Sequence, residues 1–162
     1  MWTFTSNNAE HTHQFGAILG RLLRPDHIVC LSGDLGTGKT TLVRGIGEGW
    51  GSVDRITSPT FTLVNVYQRA ADDAVLYHLD TYRLETPQAI WSVGLDDLLA
   101  GRGSVVIEWA DRIRSELPAE HLWIDIQYHD VGPDQRLFQL HSSDTYHQAL
   151  LAALRIQVER VC

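Results

Sequence analysis

An eight-residue segment, residues 33–40, has the residue types and spacing of a phosphate-binding loop. It reads Gly-Asp-Leu-Gly-Thr-Gly-Lys-Thr, which fits the pattern of a glycine, four residues and then Gly-Lys-Ser/Thr. Glycines at three positions allow successive backbone N–H groups to curl closely around a polyphosphate. Lys39 would add a positive charge for the β- and γ-phosphates, and the Thr40 hydroxyl would ligate Mg²⁺. The chemistry predicted for this segment is therefore the binding of a triphosphate with its magnesium ion.

The residues on either side of this segment predict a strand that enters it and a helix that leaves it. Residues 28–31 are a continuous apolar run, typical of a buried strand. Residues 41–46 place apolar side chains at helical spacing, and we expect the helix to end among the glycines at 47–51. Such a helix would direct its N-terminal N–H groups at a bound phosphate. The alternative is a glycine-rich turn between a strand and a helix, with Lys39 in solvent.

Two carboxylates, each at the end of an apolar strand, are candidates for the acid that a phosphate loop needs near its metal. Asp80 follows the apolar residues of 75–79, and Glu108 follows those of 105–107. In a parallel sheet both would lie at the carboxyl edge, beside the phosphate loop. Either acid could instead be a strand-end or capping residue. The presence of two favours the interpretation that at least one of them reaches Mg²⁺ or its water shell.

Residues 60–62, Thr-Phe-Thr, are a candidate switch segment. A hydroxyl in such a position can sense the γ-phosphate and its Mg²⁺ and become ordered only when both are bound. The alternative is the start of a strand, in which Thr60 and Thr62 serve only as β-branched residues. Taken alone, these residues favour the strand.

The rest of the chain predicts an α/β fold in one domain, residues 1–162. We expect a P-loop NTPase-like three-layer sandwich, in which a mixed sheet with a parallel core is flanked by helices. Ser6 is predicted to cap the first helix, which ends before Pro25. The predicted strands are near 2–5, 28–31, 62–67, 74–80, 104–108, 122–127 and 136–141, with 62–67 and 74–80 forming a hairpin. Further helices are predicted from Pro87 to about 92, at 96–100, at 111–117 and after Asp144.

Composition limits the possible partners and compartments. The formal net charge of −7 argues against a broad basic face for direct nucleic-acid binding. Cys30 and Cys162 are the two cysteines, and a bridge between them is not expected, so a reducing cytoplasmic setting is the simple interpretation. No apolar run approaches the ~20 residues that a membrane span needs. Because the N-terminus also lacks the pattern of a secretory signal, we expect a cytoplasmic protein without a membrane partner.

Four sequence blocks resemble the TsaE (YjeE) family, in that family's order and approximate spacing. They are the phosphate loop at 33–40, Ser-Pro-Thr-Phe-Thr-Leu-Val at 58–64, His-Leu-Asp-Thr-Tyr-Arg-Leu at 78–84, and Glu-Trp at 108–109. The second and third blocks are far more specific than the phosphate loop. Ala110 stands where the family often has proline after Glu-Trp, and the final helix lies outside the resemblance.

The resemblance implies a bacterial P-loop ATPase needed to make threonylcarbamoyladenosine in tRNA, next to the anticodon. Family members act with TsaB and TsaD; TsaD performs the transfer chemistry, and ATP hydrolysis supports turnover of the complex. ATP and Mg²⁺ are therefore the expected cofactors. The tRNA would be held by the partners and contacted only indirectly, in agreement with the acidic charge of this chain.

The resemblance also implies roles for individual residues. The expected catalytic residues are Lys39, Asp80 and Glu108. The expected metal ligands are Thr40, Glu108 and Asp80, with Glu108 as the second protein ligand and Asp80 as the catalytic or metal-ordering acid. The expected nucleotide-binding residues are Asp34, Leu35, Gly36, Thr37, Gly38, Lys39, Thr40, Thr41, Thr60, Thr62, Trp109 and Thr12, the last on the adenine side.

Two other functions remain open from the residues alone. A P-loop small-molecule kinase could use Asp80 as a base on a hydroxyl substrate, although residues 85–120 show no arginine-rich lid. A non-hydrolysing module could use the nucleotide as an assembly switch. No residue is an obvious arginine finger; Arg83 and a group from a partner are the candidates, so slow hydrolysis by the chain alone is expected.

Overall fold

One mixed sheet of seven strands runs through the part of the chain that the computed structural model describes, residues 1–59, 62–101 and 103–161. The strands are β1 (Trp2–Ser6), β2 (Ile28–Ser32), β3 (Val64–Gln68), β4 (Val75–Asp80), β5 (Ser104–Glu108), β6 (Leu122–Tyr128) and β7 (Arg136–His141). The α-helices are α1 (Ala9–Leu22), α2 (Lys39–Trp50), α3 (Leu95–Ala100) and α4 (Thr145–Val161). Two 3-10 helices, Pro87–Val93 and Ala110–Glu116, complete the regular elements of the described chain.

The strand order is β1-β7-β6-β2-β5-β4-β3. The four central strands β6, β2, β5 and β4 are parallel, whereas β7, β1 and β3 pair antiparallel at the two sides. The mixed sheet with a parallel core and the β3–β4 hairpin are therefore confirmed. The carboxyl ends of β2, β4 and β5 meet at one edge, where binding sites form in open α/β sheets.

Alternation along the central strands builds two hydrophobic layers. Val29 and Leu31 of β2 face α1, α2 and α4, while Cys30 faces α3 and the two 3-10 helices. Because both faces of the central strands are covered, the sequences of β2 and β5 contain continuous apolar runs, at 28–31 and 105–107. The three-layer arrangement expected from the sequence is confirmed.

Helices α1 and α2 approach each other backbone to backbone through glycines. At four glycines an added Cβ atom would collide with a backbone carbonyl oxygen of the other helix. They are Gly16, Gly20, Gly45 and Gly49. The expectation that α2 ends near residues 47–51 is confirmed, since Gly51, at φ 92°, caps it. The glycines before Trp50 have a further role that the sequence interpretation missed: Gly45 and Gly49 allow the close helix contact.

The predicted cap of the first helix was wrong. The N-cap of α1 is Asn8, whose Oδ1 accepts a hydrogen bond from the His11 N–H at 2.8 Å. Ser6 is instead the last residue of β1, paired with Arg136, and its buried hydroxyl lies 2.7 Å from that of Thr12. The helices predicted from Pro87 to about residue 92 and at 111–117 are confirmed, and both are 3-10 helices, Pro87–Val93 and Ala110–Glu116. Within the described ranges, no helix is long and apolar enough to cross a membrane.

Candidate functional site

The loop between β2 and α2 has the conformation that its glycines allow. Gly33, Gly36 and Gly38 have φ values of 136°, 80° and 103°, a region that favours glycine. A Cβ on Gly33 would also collide with the carbonyl oxygen of Ile126. The Thr37 hydroxyl donates to the Asp34 carbonyl oxygen at 2.9 Å and closes the turn. The loop thus forms a backbone cradle at the N-terminus of α2, which is suited to an anion.

The Lys39 side chain lies under this cradle. Its Nζ donates to the carbonyl oxygens of Gly33 at 2.6 Å and Asp34 at 2.8 Å, and it lies 3.6 Å from the centroid of the Trp109 ring. Burial lowers the pKa of Lys39, and the nearby carboxylates, Glu108 first among them, only partly oppose this effect. The ammonium group is therefore a buried cation whose direct hydrogen-bond partners are neutral carbonyl groups.

The two candidate acids are direct neighbours on parallel strands. Asp80 of β4 is in register with Glu108 of β5, so both side chains lie on the same face of the sheet, beside the phosphate loop. Glu108 is only 1% exposed, and its Oε2 accepts a hydrogen bond from the Thr40 hydroxyl at 3.0 Å. Its Oε1 lies 2.8 Å from Nε2 of His78. The expected position of both acids at the carboxyl edge is confirmed, while their roles remain predictions.

Asp80 is a half-buried carboxylate with an unusual protonation equilibrium. Burial raises its pKa, and the charge of Glu108 raises it further, while the hydrogen bond that Asp80 Oδ1 accepts from the Tyr82 N–H at 2.9 Å acts in the opposite direction. Perturbed carboxylates in clefts are typical of functional sites.

Trp109 is fixed by its own backbone and by Thr81. It has a left-handed conformation, φ 59°, which a bulky residue rarely adopts. The buried Thr81 hydroxyl lies 3.0 Å from the carbonyl oxygen of Glu108 and 2.7 Å from that of Trp109. Thr81 therefore holds the backbone that presents both the acid and the indole ring. Strained backbone held in this way is common at binding sites.

These groups converge on a cleft of about 370 Å³. It is lined by Leu35, Gly36, Gly38, Lys39, Thr40, Thr41, Ser58, Asp80, Tyr82, Glu108 and Trp109. Nine of these eleven residues were predicted from the sequence. Ser58 and Tyr82 were not singled out, although both belong to the two specific sequence blocks.

The other predicted residues lie elsewhere. The Asp34 carbonyl oxygen and the Thr37 side chain belong to the framework of the loop. Thr12 is buried on α1 below the loop, where a Cβ on Gly38 would come within 3.9 Å of its methyl group. Thr62 is exposed and its hydroxyl lies 3.4 Å from Oδ1 of Asn65, outside the lining of the cleft. Thr60, Phe61 and Cys162 lie outside the described residues, so the switch and cysteine predictions for them stay predictions.

Comparison with known proteins agrees on one family. The family model described as "Threonylcarbamoyl adenosine biosynthesis protein TsaE" matches residues 6–137. The chain is similar to proteins named tRNA threonylcarbamoyladenosine biosynthesis protein TsaE from Treponema pallidum (40% identity over 122 residues, 75% of this chain and 88% of that protein) and Bacillus subtilis (38% over 131 residues, 80% and 78%). The crystal structure of Bacillus subtilis YdiB superposes with a TM-score of 0.78 and 31% identity, over 96% of this chain and 95% of that one.

Proposed function

The chain belongs to the TsaE family, and from that premise we propose that it binds ATP with Mg²⁺ in the cleft and hydrolyses the nucleotide in support of threonylcarbamoyladenosine formation in tRNA. The observation that carries the proposal is the 3.0 Å contact between the Thr40 hydroxyl and the Glu108 carboxylate at the rim of the glycine cradle. Hydroxyl and carboxylate oxygens are the ligands that Mg²⁺ prefers in proteins.

The chain's own residues would bind the phosphates in two ways. The loop backbone and the N-terminus of α2 supply N–H donors. Lys39 would exchange its carbonyl partners on Gly33 and Asp34 for phosphate oxygens. A phosphate is a better partner for a desolvated ammonium group than a neutral carbonyl, because charge-assisted hydrogen bonds are stronger. The burial that lowers the pKa of Lys39 therefore favours anion binding at this position.

The acids would act on the metal and on water. Thr40 and Glu108 would hold Mg²⁺, which when bound neutralises charge on the β- and γ-phosphate oxygens. Asp80, half-buried beside them, would orient the attacking water or the water shell of the metal. Its raised pKa makes it a better proton acceptor than an exposed aspartate, since the basicity of a carboxylate rises with its pKa.

Hydrolysis by the isolated chain should be slow. Among the described residues that line the cleft, Lys39 is the only one with a positive charge. Arg112 lies outside that lining, with its guanidinium 5.5 Å from the Tyr82 ring and its Nη2 donating to the Leu84 carbonyl oxygen at 3.3 Å. An arginine that reaches the transferred phosphoryl group is worth roughly 10³–10⁵ in rate. We therefore propose that TsaB and TsaD stimulate hydrolysis in the cytoplasm and hold the tRNA, in keeping with the net charge of −7.

A phosphate-release assay with and without TsaB and TsaD tests the proposal. We expect a low rate for the chain alone, a higher rate in the complex, and no release from Lys39→Ala. Equal rates with and without the partners would contradict the stimulation. ATP binding without any release would indicate a nucleotide switch, and transfer of the label to a small hydroxyl acceptor would indicate a kinase.

The roles of the acids are tested by comparing affinity with turnover. Glu108→Gln and Asp80→Asn keep the shape of each side chain but remove its charge. We expect either change to lower phosphate release more than ATP affinity, because the loop and Lys39 bind the phosphates independently of these acids. If affinity fell in parallel with turnover, the acids would contribute to binding in general and not to catalysis.

A further inference from the structure

A fully buried histidine, His78, contacts the proposed metal ligand from the side opposite to Thr40. It lies on β4 in register with Val106, while Asp80, two residues on, is in register with Glu108. His78 is thus the diagonal neighbour of Glu108 on the same face of the sheet, a distance that a long side chain can span. Its Nε2 lies 2.8 Å from Oε1 of Glu108, and the ring is 0% exposed.

The hydrogen bonds around the His78 ring define its tautomer. The carboxylate of Glu108 can only accept, so Nε2 of His78 must carry the proton. The other ring nitrogen, Nδ1, has no hydrogen-bond partner among the described residues. A buried N–H donor without a partner is costly, whereas an unprotonated ring nitrogen without a partner costs less free energy. A proton on Nε2 fits both observations and points one donor at Glu108.

We propose that His78 is a positioning residue for the metal ligand. Its Nε2–H fixes Oε1 of Glu108, so that Oε2 stays turned towards Thr40 and towards Mg²⁺. This inference rests on the proposed function, because it takes the Thr40–Glu108 pair as the metal site. Carboxylate ligands need such outer hydrogen bonds, and their loss typically lowers metal affinity by roughly 10–100-fold. Without His78, one oxygen of a carboxylate that is 1% exposed would have no donor among the residues that the structure describes.

Three substitutions separate this role from a general contribution to the fold. His78→Leu removes the donor while keeping apolar volume. His78→Gln places an amide N–H near the position of Nε2, and His78→Asn carries the same amide on a stem too short to reach Oε1. Asparagine and glutamine are a matched pair, so their comparison remains informative even if the leucine variant does not fold.

The probe is Mn²⁺, titrated by electron paramagnetic resonance in the presence of a saturating non-hydrolysable ATP analogue. We expect His78→Leu and His78→Asn to weaken Mn²⁺ binding by about tenfold, and His78→Gln to retain most of the affinity. Affinity for the analogue in EDTA should change little in any variant, because the loop and Lys39 bind the phosphates without the metal.

The possible outcomes distinguish a failure of the role of His78 from a failure of the proposed metal site. Equal Mn²⁺ affinity in the asparagine and glutamine variants would overturn the role of His78 alone. An equal loss of analogue affinity in EDTA in all variants would also overturn it, since His78 would then support the fold. If the unaltered protein bound the analogue but no Mn²⁺, the metal site of the proposed function would be refuted, and so would the role of His78.

Discussion

The structure predicts a specific loss of stability in mild acid, caused by His27, which directly precedes β2. The ring is 3% exposed, its Nδ1 accepts a hydrogen bond from the Arg24 N–H at 2.9 Å, and its centroid lies 4.4 Å from that of Tyr146. Burial lowers the pKa of His27 from 6.5 to about 4. Electrostatic interactions with His147 and Arg24 lower the pKa further, and the interaction with Asp144 opposes them. The folded protein therefore holds this ring neutral.

The sign and size of the effect follow from proton linkage. Because the folded-state pKa lies below the unfolded value, the unfolded chain binds the proton first as the pH falls. The stabilising contribution of His27 is fully present above pH 6.5 and is lost between pH 6.5 and about 4. At 1.36 kcal/mol per pKa unit, the free energy of unfolding should fall by about 2 kcal/mol between pH 7 and pH 4.5 on account of this residue.

Urea unfolding of the protein and of His27→Asn at both pH values measures this contribution. Asparagine offers an oxygen near the position of Nδ1 but does not titrate. We expect the free energy of unfolding to decrease by about 2 kcal/mol less in the variant than in the unaltered protein. Between pH 7.5 and pH 9, where His27 is neutral in both states, the two proteins should respond alike. An equal decrease in both proteins between pH 7 and pH 4.5 would refute the reasoning.

Three further predictions concern the loop and its supports. Burial raises the pKa of Asp80, so its ionised form destabilises the fold. Asp80→Asn should therefore raise the melting temperature while it lowers phosphate release. An unchanged or lower melting temperature would contradict this prediction. The Tyr128 hydroxyl donates a hydrogen bond to the Leu35 carbonyl oxygen at 2.8 Å. Tyr128→Phe should therefore weaken ATP binding by up to about fivefold, or ~1 kcal/mol, as measured by calorimetry. Undiminished affinity would show that the contact does not shape the loop. Gly45→Ala should lower the free energy of unfolding by about 1–3 kcal/mol, because the added Cβ would collide with the backbone of α1. Gly132→Ala is the control, since a Cβ at that position meets only ordinary contacts. It should not lower the free energy of unfolding in the same way.

The elements were predictable where a short stretch determines its own structure. Continuous apolar runs identified β2 and β5, because strands buried on both faces have no polar alternation. The N-cap of α1 was not predictable in the same way, since Ser6 and Asn8 are both good capping residues. Which of them caps the helix depends on where β1 stops pairing with β7, and that is decided more than 100 residues away, at Arg136.

The site was predictable where consecutive residues carry its chemistry. The phosphate loop and the two strand-end acids were identified from residue type and position. His78, Thr81 and Tyr128 act through contacts with Glu108, Trp109 and Leu35, each at least 27 residues away in the chain. His78 and Thr81 belong to the block at 78–84 that resembles the family, whereas Tyr128 lies in none of the four blocks. Their residue types do not tell which distant groups they contact, and those contacts appear only in the folded sheet.

That register is itself selected by the hydrophobic core. Leu79 of β4 pairs with Ile107 of β5, and both are fully buried in the layer that contains α3. Their alternation places Asp80 and Glu108 together at the edge beside the loop. A slip by one residue would turn Asp80 towards the apolar layer, because the side-chain period of a strand is two. An unpaired carboxylate there would cost several kcal/mol, a large fraction of the total stability of a domain. The apolar residues that stabilise the sheet thus also hold the two acids side by side, as the proposed metal site requires.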